Sequence, residues 1–211
     1  MKASEVTILA AIAMTCSGVL GCAKGGDATA ASPERGQPQV LGVGNEQQDA
    51  SLAMSLKDQA AAGKPERVEV HARYALALKC PLCAPIILAN ASGSPRQGSY
   101  LLPMVRDGEA NPADYEVVGE FRIVGHYSGV LMPLGEWMRR TGSTKSTANP
   151  QDAHLRTPYL VFEVDHWCYV PSKELPLLEE QAPTDDFSGR MVKIIHQLRD
   201  DGHFCESEET E

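Results

Sequence analysis

Four cysteines and two histidines carry most of the chemistry that residue type and spacing suggest in this 211-residue chain. Cys80 and Cys83 are separated by Pro81 and Leu82, the spacing of half a zinc site and equally of a redox dithiol. Further along, His166-Trp167-Cys168 and His203-Phe204-Cys205 repeat the order His, aromatic, Cys. Residues two apart on a strand share a face, so His166 and Cys168 can reach the same ion. Cys80, Cys83, His166 and Cys168 therefore form a candidate set for zinc or copper. The two C-x-x-C pairs of a full zinc framework are absent, and His203 and Cys205 sit in an acidic C-terminal segment. Other patterns are weaker. Glu163 and Asp165 form a carboxylate pair on one strand face, which is the ordinary layout of a solvent-facing row. The acids Glu179, Glu180, Asp185 and Asp186 lack the alternating ligands and central glycine of a calcium loop. No phosphate-cradling glycine loop, G-x-S-x-G elbow, H-E-x-x-H pair or C-x-x-C-H haem site occurs, so no catalytic activity is assigned.

The compartment decides how the cysteines are read. Val6 to Leu20 is an apolar stretch after Lys2, too short for a membrane span and ending in small residues that a peptidase can process. It closes with Val19-Leu20-Gly21-Cys22: branched apolar residues, a small residue, then cysteine. This N-terminus resembles the signal of bacterial lipoproteins, over the first 22 residues alone. The resemblance implies removal of residues 1–21, acylation of Cys22 by two or three chains, and a lipid anchor in the cell envelope. One chain binds a bilayer marginally and two bind stably. Ala23 stands where an aspartate favours retention at the inner membrane in enteric bacteria, so the resemblance points to the outer membrane if the organism is Gram-negative.

In such an oxidising place the four remaining thiols, Cys80, Cys83, Cys168 and Cys205, form disulfides first, with three possible connectivities. Strand parity puts Cys80 and Cys168 on apolar faces, which favours a bridge between Cys168 and the Cys80/Cys83 loop. Loop entropy favours Cys168 to Cys205, worth roughly 3 to 4 kcal/mol, over Cys80 to Cys83, worth about 2. The Cys80-Pro81-Leu82-Cys83 motif after a strand, with Thr157-Pro158 before another, resembles the thioredoxin-like pattern of a redox dithiol and a cis-proline. The departure is the helix: Pro85, Ile86 and Ile87 lead within ten residues to Ser92-Gly93, leaving no room for the long helix whose dipole lowers the first thiol's pKa.

The net charge is −9, from 19 basic and 28 acidic residues. Loss of Lys2 and Glu5 with the signal leaves it unchanged. An acidic surface disfavours nucleic acid and anionic lipid headgroups as partners, leaving a protein or small molecule. Residues 22–66 are rich in Ala, Gly, Gln, Ser, Asp and Pro and lack aromatics. They are expected to form a lipidated flexible linker with a span on the order of 35 Å.

The elements that must hold the cysteines lie in residues 67–205, one β-rich domain, before an acidic tail at 206–211. Arg67 to Leu78 alternates, with Val68, Val70 and Ala72 on one face and Glu69, His71 and Arg73 on the other. Tyr115 to Tyr127 and Pro158 to Val170 alternate likewise, the latter with Phe162, Val164, Cys168 and Val170 on its apolar side. Ile86 to Ala89 and Tyr100 to Val105 read as shorter strands. Leu134 to Arg140 reads as a short helix, and Asp186 to Arg199 as a longer one capped by Asp185 or Asp186 and ended by Gly202. Thr141 to Thr157 reads as a long polar loop. Gly119, Gly125 and Gly129 mark bends or a bulge. The expected fold is mainly β (α+β), a small antiparallel barrel or sandwich compatible with an OB-like arrangement, closed by a C-terminal helix.

Overall fold

The computed structural model describes residues 39–74, 86–90, 100–141, 153–183 and 185–206. All of them fall in one compact unit, Gln37–Glu211. Residues 1–38, with the signal and Cys22, lie outside the described residues, as do Cys80, Cys83, Leu76, Leu78, the turn around 92–98 and residues 207–211.

The chain is α+β with a C-terminal helix, as its patterning predicts. Its strands are β1 (Gln39–Leu41), β2 (Val68–Tyr74), β3 (Ile86–Leu88), β4 (Leu102–Met104), β5 (Gly119–Pro133) and β6 (Pro158–Pro171). Its helices are α1 (Glu46–Ala61), α2 (Leu134–Arg140), α3 (Ala153–Arg156), α4 (Leu175–Gln181) and α5 (Asp186–Asp200). The sheet is open: the order is β1-β2-β5-β6-β4, with β3 also on β2, and among the described residues no pairing joins β1 to β4. It is also mixed, since β1 runs parallel to β2 and β4 parallel to β6. The antiparallel barrel is thereby corrected.

The linker expectation is corrected as well. Within residues 22–66, β1 and α1 join β2 in a parallel strand-helix-strand unit, the crossover that a parallel pair requires. Asn45 caps α1 through a capping box with Gln48, its side chain accepting from the Gln48 amide at 2.9 Å while Gln48 Oε1 accepts from the Asn45 amide at 3.1 Å. The buried stripe is Asp49, Ala53, Leu56 and Ala60, at helical spacing but with alanine at two of its four positions and a single large apolar side chain. Asp49 is buried because it works as a tie: it accepts from the Gly42 amide at 3.0 Å and from Asn90 Nδ2, fastening α1 to the turns after β1 and β3.

A long hairpin of β5 and β6 forms the centre, with Val117, Phe121, Ile123, Tyr127, Phe162 and Tyr169 in the core. The hairpin register shifts twice. His166 pairs with Val124 and Val164 with Gly125, so Asp165 is an extra residue in β6. Side chains alternate, so one inserted residue reverses which parity faces the core. Phe162 and Val164 point inward before the bulge; Tyr169 does so after it, while His166 is exposed. Cys168 consequently leaves the apolar side predicted for it. Gly125 makes the close approach possible, since a Cβ there would sit 2.0 Å from the Glu163 carbonyl oxygen.

On α5 the buried residues Met191, Ile195 and Leu198 recur at i, i+4 and i+7, and Asp185 caps the helix by accepting from the Ser188 amide at 2.6 Å. That hydrogen bonding holds the Asp185 carboxyl below the usual range. Residues 203–205, after Gly202, pack back against β6. His203 and Cys205 bracket Tyr169, which donates to the His203 carbonyl at 2.6 Å and accepts from the Cys205 amide at 3.0 Å. Phe204 packs edge-on against Tyr169, with the Arg199 guanidinium over its ring.

Candidate functional site

Alternation along β2, β5 and β6 leaves one sheet face polar, and the register decides which polar groups meet. Val70 pairs with Ile123 and His71 with Arg122, so Glu69, His71, Glu120 and Arg122 form one patch. His71 lies between two carboxylates, its Nδ1 2.8 Å from Glu120 Oε1 and its Nε2 3.0 Å from Glu69 Oε1. Its side chain is only 14% exposed. A carboxylate oxygen only accepts, so a ring nitrogen that bonds to Glu69 or Glu120 does so by donating. Arg122 Nε lies 3.9 Å from the same Glu120 oxygen. The His71–Glu120 contact ties β2 to β5.

Two clefts flank the patch. The first, of about 450 Å³, lies where β5 begins and β2 and β6 end; Arg73, Tyr74, Val118, Gly119, Glu120 and Lys173 line it, with Val170, Pro171 and Ser172. Behind the lining residues Val118 and Gly119 lies the buried Tyr169, whose hydroxyl donates to the Val118 carbonyl at 2.5 Å. Gly119 has φ +133° and lies against that ring, where a Cβ would come within 2.5 Å of Cε2. Burial pushes the Tyr169 phenol up to about 12, against the opposing hydrogen bond from the Ser172 amide. Burial, then the charges of Glu116 and Asp114, raise Tyr74 to about 12. The second cleft, of about 300 Å³, opens where β4 and β6 part, between Met104, Val105, Arg106, His126, Glu163, Val164 and Asp165. There His126 Nε2 is 3.5 Å from Glu163 Oε2, and Arg67 Nε holds Asp165 Oδ2 at 2.9 Å.

The predicted site residues are distributed differently. Cys168 is joined to Cys205 by a disulfide, with Cα atoms 4.9 Å apart. This resolves the choice left open for Cys168: its partner is Cys205, not the Cys80/Cys83 loop. The bulge at Asp165 is the physical reason, since it turns Cys168 away from the core and toward the bracketing tail. A disulfide sulfur is no thiolate, so Cys168 is not available to the proposed zinc or copper set in this oxidation state. His166 shares its face but is exposed, and Cys80 and Cys83 lie outside the described residues. Among the described residues, no group of three His, Cys, Asp or Glu is arranged to hold a metal ion. Thr157-Pro158 begins β6 without a cis peptide bond, unlike the thioredoxin pattern. His203 stacks on Trp167 with ring centroids 4.1 Å apart, and Trp167 donates to the Ala110 carbonyl at 2.9 Å.

Comparison of the chain with protein-family models, curated proteins and solved structures returns no match. Its own geometry must therefore carry the functional argument. Glu69, His71, Arg73, Glu120 and Lys173 had no motif to signal them. The polar-face positions of Glu69, His71, Arg73 and Glu120 were readable in the strand alternation, that of Lys173 was not; their convergence needed the β2–β5 register and the turn after β6. Among the described residues, no helix is long and apolar enough to cross a membrane.

Proposed function

We propose that this chain is an exported lipoprotein whose signal, residues 1–21, is removed and whose Cys22 is acylated. Its disulfide-stabilised α+β domain then works at the cell-envelope membrane as a binding module rather than as a catalyst. The observation that supports this best is the Cys168–Cys205 bridge, which closes two of the four thiols left after acylation. Such bridges persist in oxidising compartments and are rare where glutathione and thioredoxin keep thiols reduced. The binding role draws on the flanking clefts, both within or near the volume range of small-molecule sites. The described histidines with ionic contacts face carboxylates.

The test is expression of the full chain in a bacterial host, followed by detergent phase partition, intact mass and non-reducing peptide mapping. Expected are an N-terminal diacylglyceryl or triacyl mass on Cys22, partition into the detergent phase, loss of both in Cys22→Ala, and a peptide joined through Cys168 and Cys205. Protein with Met1 retained and both cysteines alkylatable without reductant would sink the proposal.

A further inference from the structure

Two large apolar residues stand side by side in β5 with most of their surface in solvent, Val130 at 53% exposed and Leu131 at 62%. A bulge presents them. Tyr127 pairs with Phe162 and Leu131 with Leu160, so Ser128, Gly129 and Val130 stand against Val161 alone. The bulge is satisfied from within, since Ser128 Oγ donates to the Val161 carbonyl at 3.3 Å and accepts from the Val130 amide at 3.1 Å. It is also backed by α1: Gly129 has φ +73°, and a Cβ there would come within 2.7 Å of the Ala60 carbonyl oxygen. The half-buried Leu160, directly opposite Leu131, widens the apolar tip.

The register puts this tip at the end of the sheet where the chain from Cys22 enters. Gln39, the first residue of β1, pairs with Val68, and Val68 pairs on its other side with Gly125. From that level β5 runs on to Pro133 and carries the bulge with it. Cys22 precedes Gln39 by 17 residues, 39 less 22. A chain of that length reaches at most on the order of 60 Å, whatever its conformation. We propose that the bulge at 128–131 is a second membrane contact, resting Val130 and Leu131 in the interface of the bilayer that holds the acyl chains of Cys22. The contact rests on the lipid anchor proposed above. Apolar side chains gain by leaving water for that interface, and the bulge backbone that accompanies them brings its own hydrogen-bond partner in Ser128. A weak contact suffices, because the tether turns the encounter into an intramolecular one. The net charge of −9 selects a zwitterionic lipid surface over an anionic one. Leu177 and Phe187, also apolar and exposed, lie on α4 and α5, which follow the opposite end of β6 at Pro171.

The experiment is hydroxyl-radical footprinting read by mass spectrometry, on the acylated full chain in phosphatidylcholine nanodiscs, with the Cys22→Ala chain in solution as reference. Oxidation of Val130, Leu131 and Leu160 is expected to fall several-fold on the nanodisc, while that of Leu177 and Phe187 stays unchanged. The pattern is expected to persist at high salt, which screens charges and not apolar burial. The Val130→Asp/Leu131→Asp double variant, altered only at exposed positions, is expected to keep its fold and to return Leu160 to its rate in solution. The proposal is overturned if Val130 and Leu131 oxidise on the nanodisc as fast as in solution, or if Leu177 and Phe187 are protected to the same degree. It is equally overturned if the folded double variant still protects Leu160; should that variant unfold, the wild-type pattern alone decides. Acylated protein without the footprint would overturn this inference alone. Protein with no acyl mass on Cys22 would overturn the anchor and this contact together.

Discussion

Removing the Cys168–Cys205 bridge is expected to cost this protein a large part of its stability. The bridge spans 37 residues of sequence, from the middle of β6 through α4 and α5 to the bracketing tail. For a loop of that length the chain-entropy relation gives about 13 cal/mol/K, or about 3.8 kcal/mol at 25 °C. Folded domains of this size gain about 0.4 kcal/mol/K of unfolding entropy near their midpoint, so the Cys168→Ser/Cys205→Ser double variant should melt about 10 °C lower. Urea unfolding followed by the fluorescence of Trp137 and Trp167 measures the difference, with the wild type in oxidised form as reference. Two further readouts localise it. The Tyr169 and Cys205 amides, which bracket the tail, should exchange with solvent faster in the variant, while amides in the β2–β5 ladder lose protection only as global stability falls. A loss below about 1 kcal/mol, with unchanged exchange at Tyr169, would refute the reasoning. It would mean that the tail is held by Phe204 and the backbone bonds alone.

Four other outcomes follow from the same structure. Gly125→Val, which drives a Cβ against the Glu163 carbonyl at the bulge, should destabilise by about 3 kcal/mol or prevent folding, measured by urea midpoint and soluble yield. His71→Leu leaves Glu69 and Glu120 without their shared donor on a half-buried face, and should cost about 1 to 3 kcal/mol; Glu69→Gln combined with Glu120→Gln should recover part of it. Trp137→Phe removes one of the two donors to the Pro103 carbonyl while Asn111 keeps the other, so a loss of about 1 kcal/mol is expected by thermal melting. Stability should fall as pH rises from about 10 to about 12. Tyr74 and Tyr169 ionise near 12 in the folded state and near 10 unfolded, so the unfolded chain binds fewer protons in that window and is favoured there. Tyr74→Phe should shallow the dependence of the urea midpoint on pH, and an unchanged slope would contradict its raised pKa.

Local pattern carried far in this chain. Hydrophobic alternation marked β2, the first part of β5 and the start of β6, and the Asp185 cap with the Met191, Ile195 and Leu198 stripe marked α5. These signals survive because they depend on neighbours within a turn or two of chain. Helix α1 is hard to read for a related reason: Leu52, Met54 and Leu56 are spaced by two, and its buried stripe holds one large apolar residue, Leu56, beside Asp49 and two alanines, a weak hydrophobic signal until a strand is packed against it. With α1 missed, β1 was lost, because a three-residue strand is defined by its parallel partner and not by its own composition.

The sequence by itself determined which residues are polar on each strand, where α5 begins, and that Cys168 and Cys205 would profit from a bridge. It held no information on register, because register is a relation between segments. Only the tertiary structure placed His71 beside Arg122, set one extra residue at Asp165, and so rotated Cys168 from the core face to the side where Cys205 waits. One inserted residue reverses every side chain beyond it. The disulfide, the charged patch and the cleft beside Gly119 all follow from pairings between distant segments.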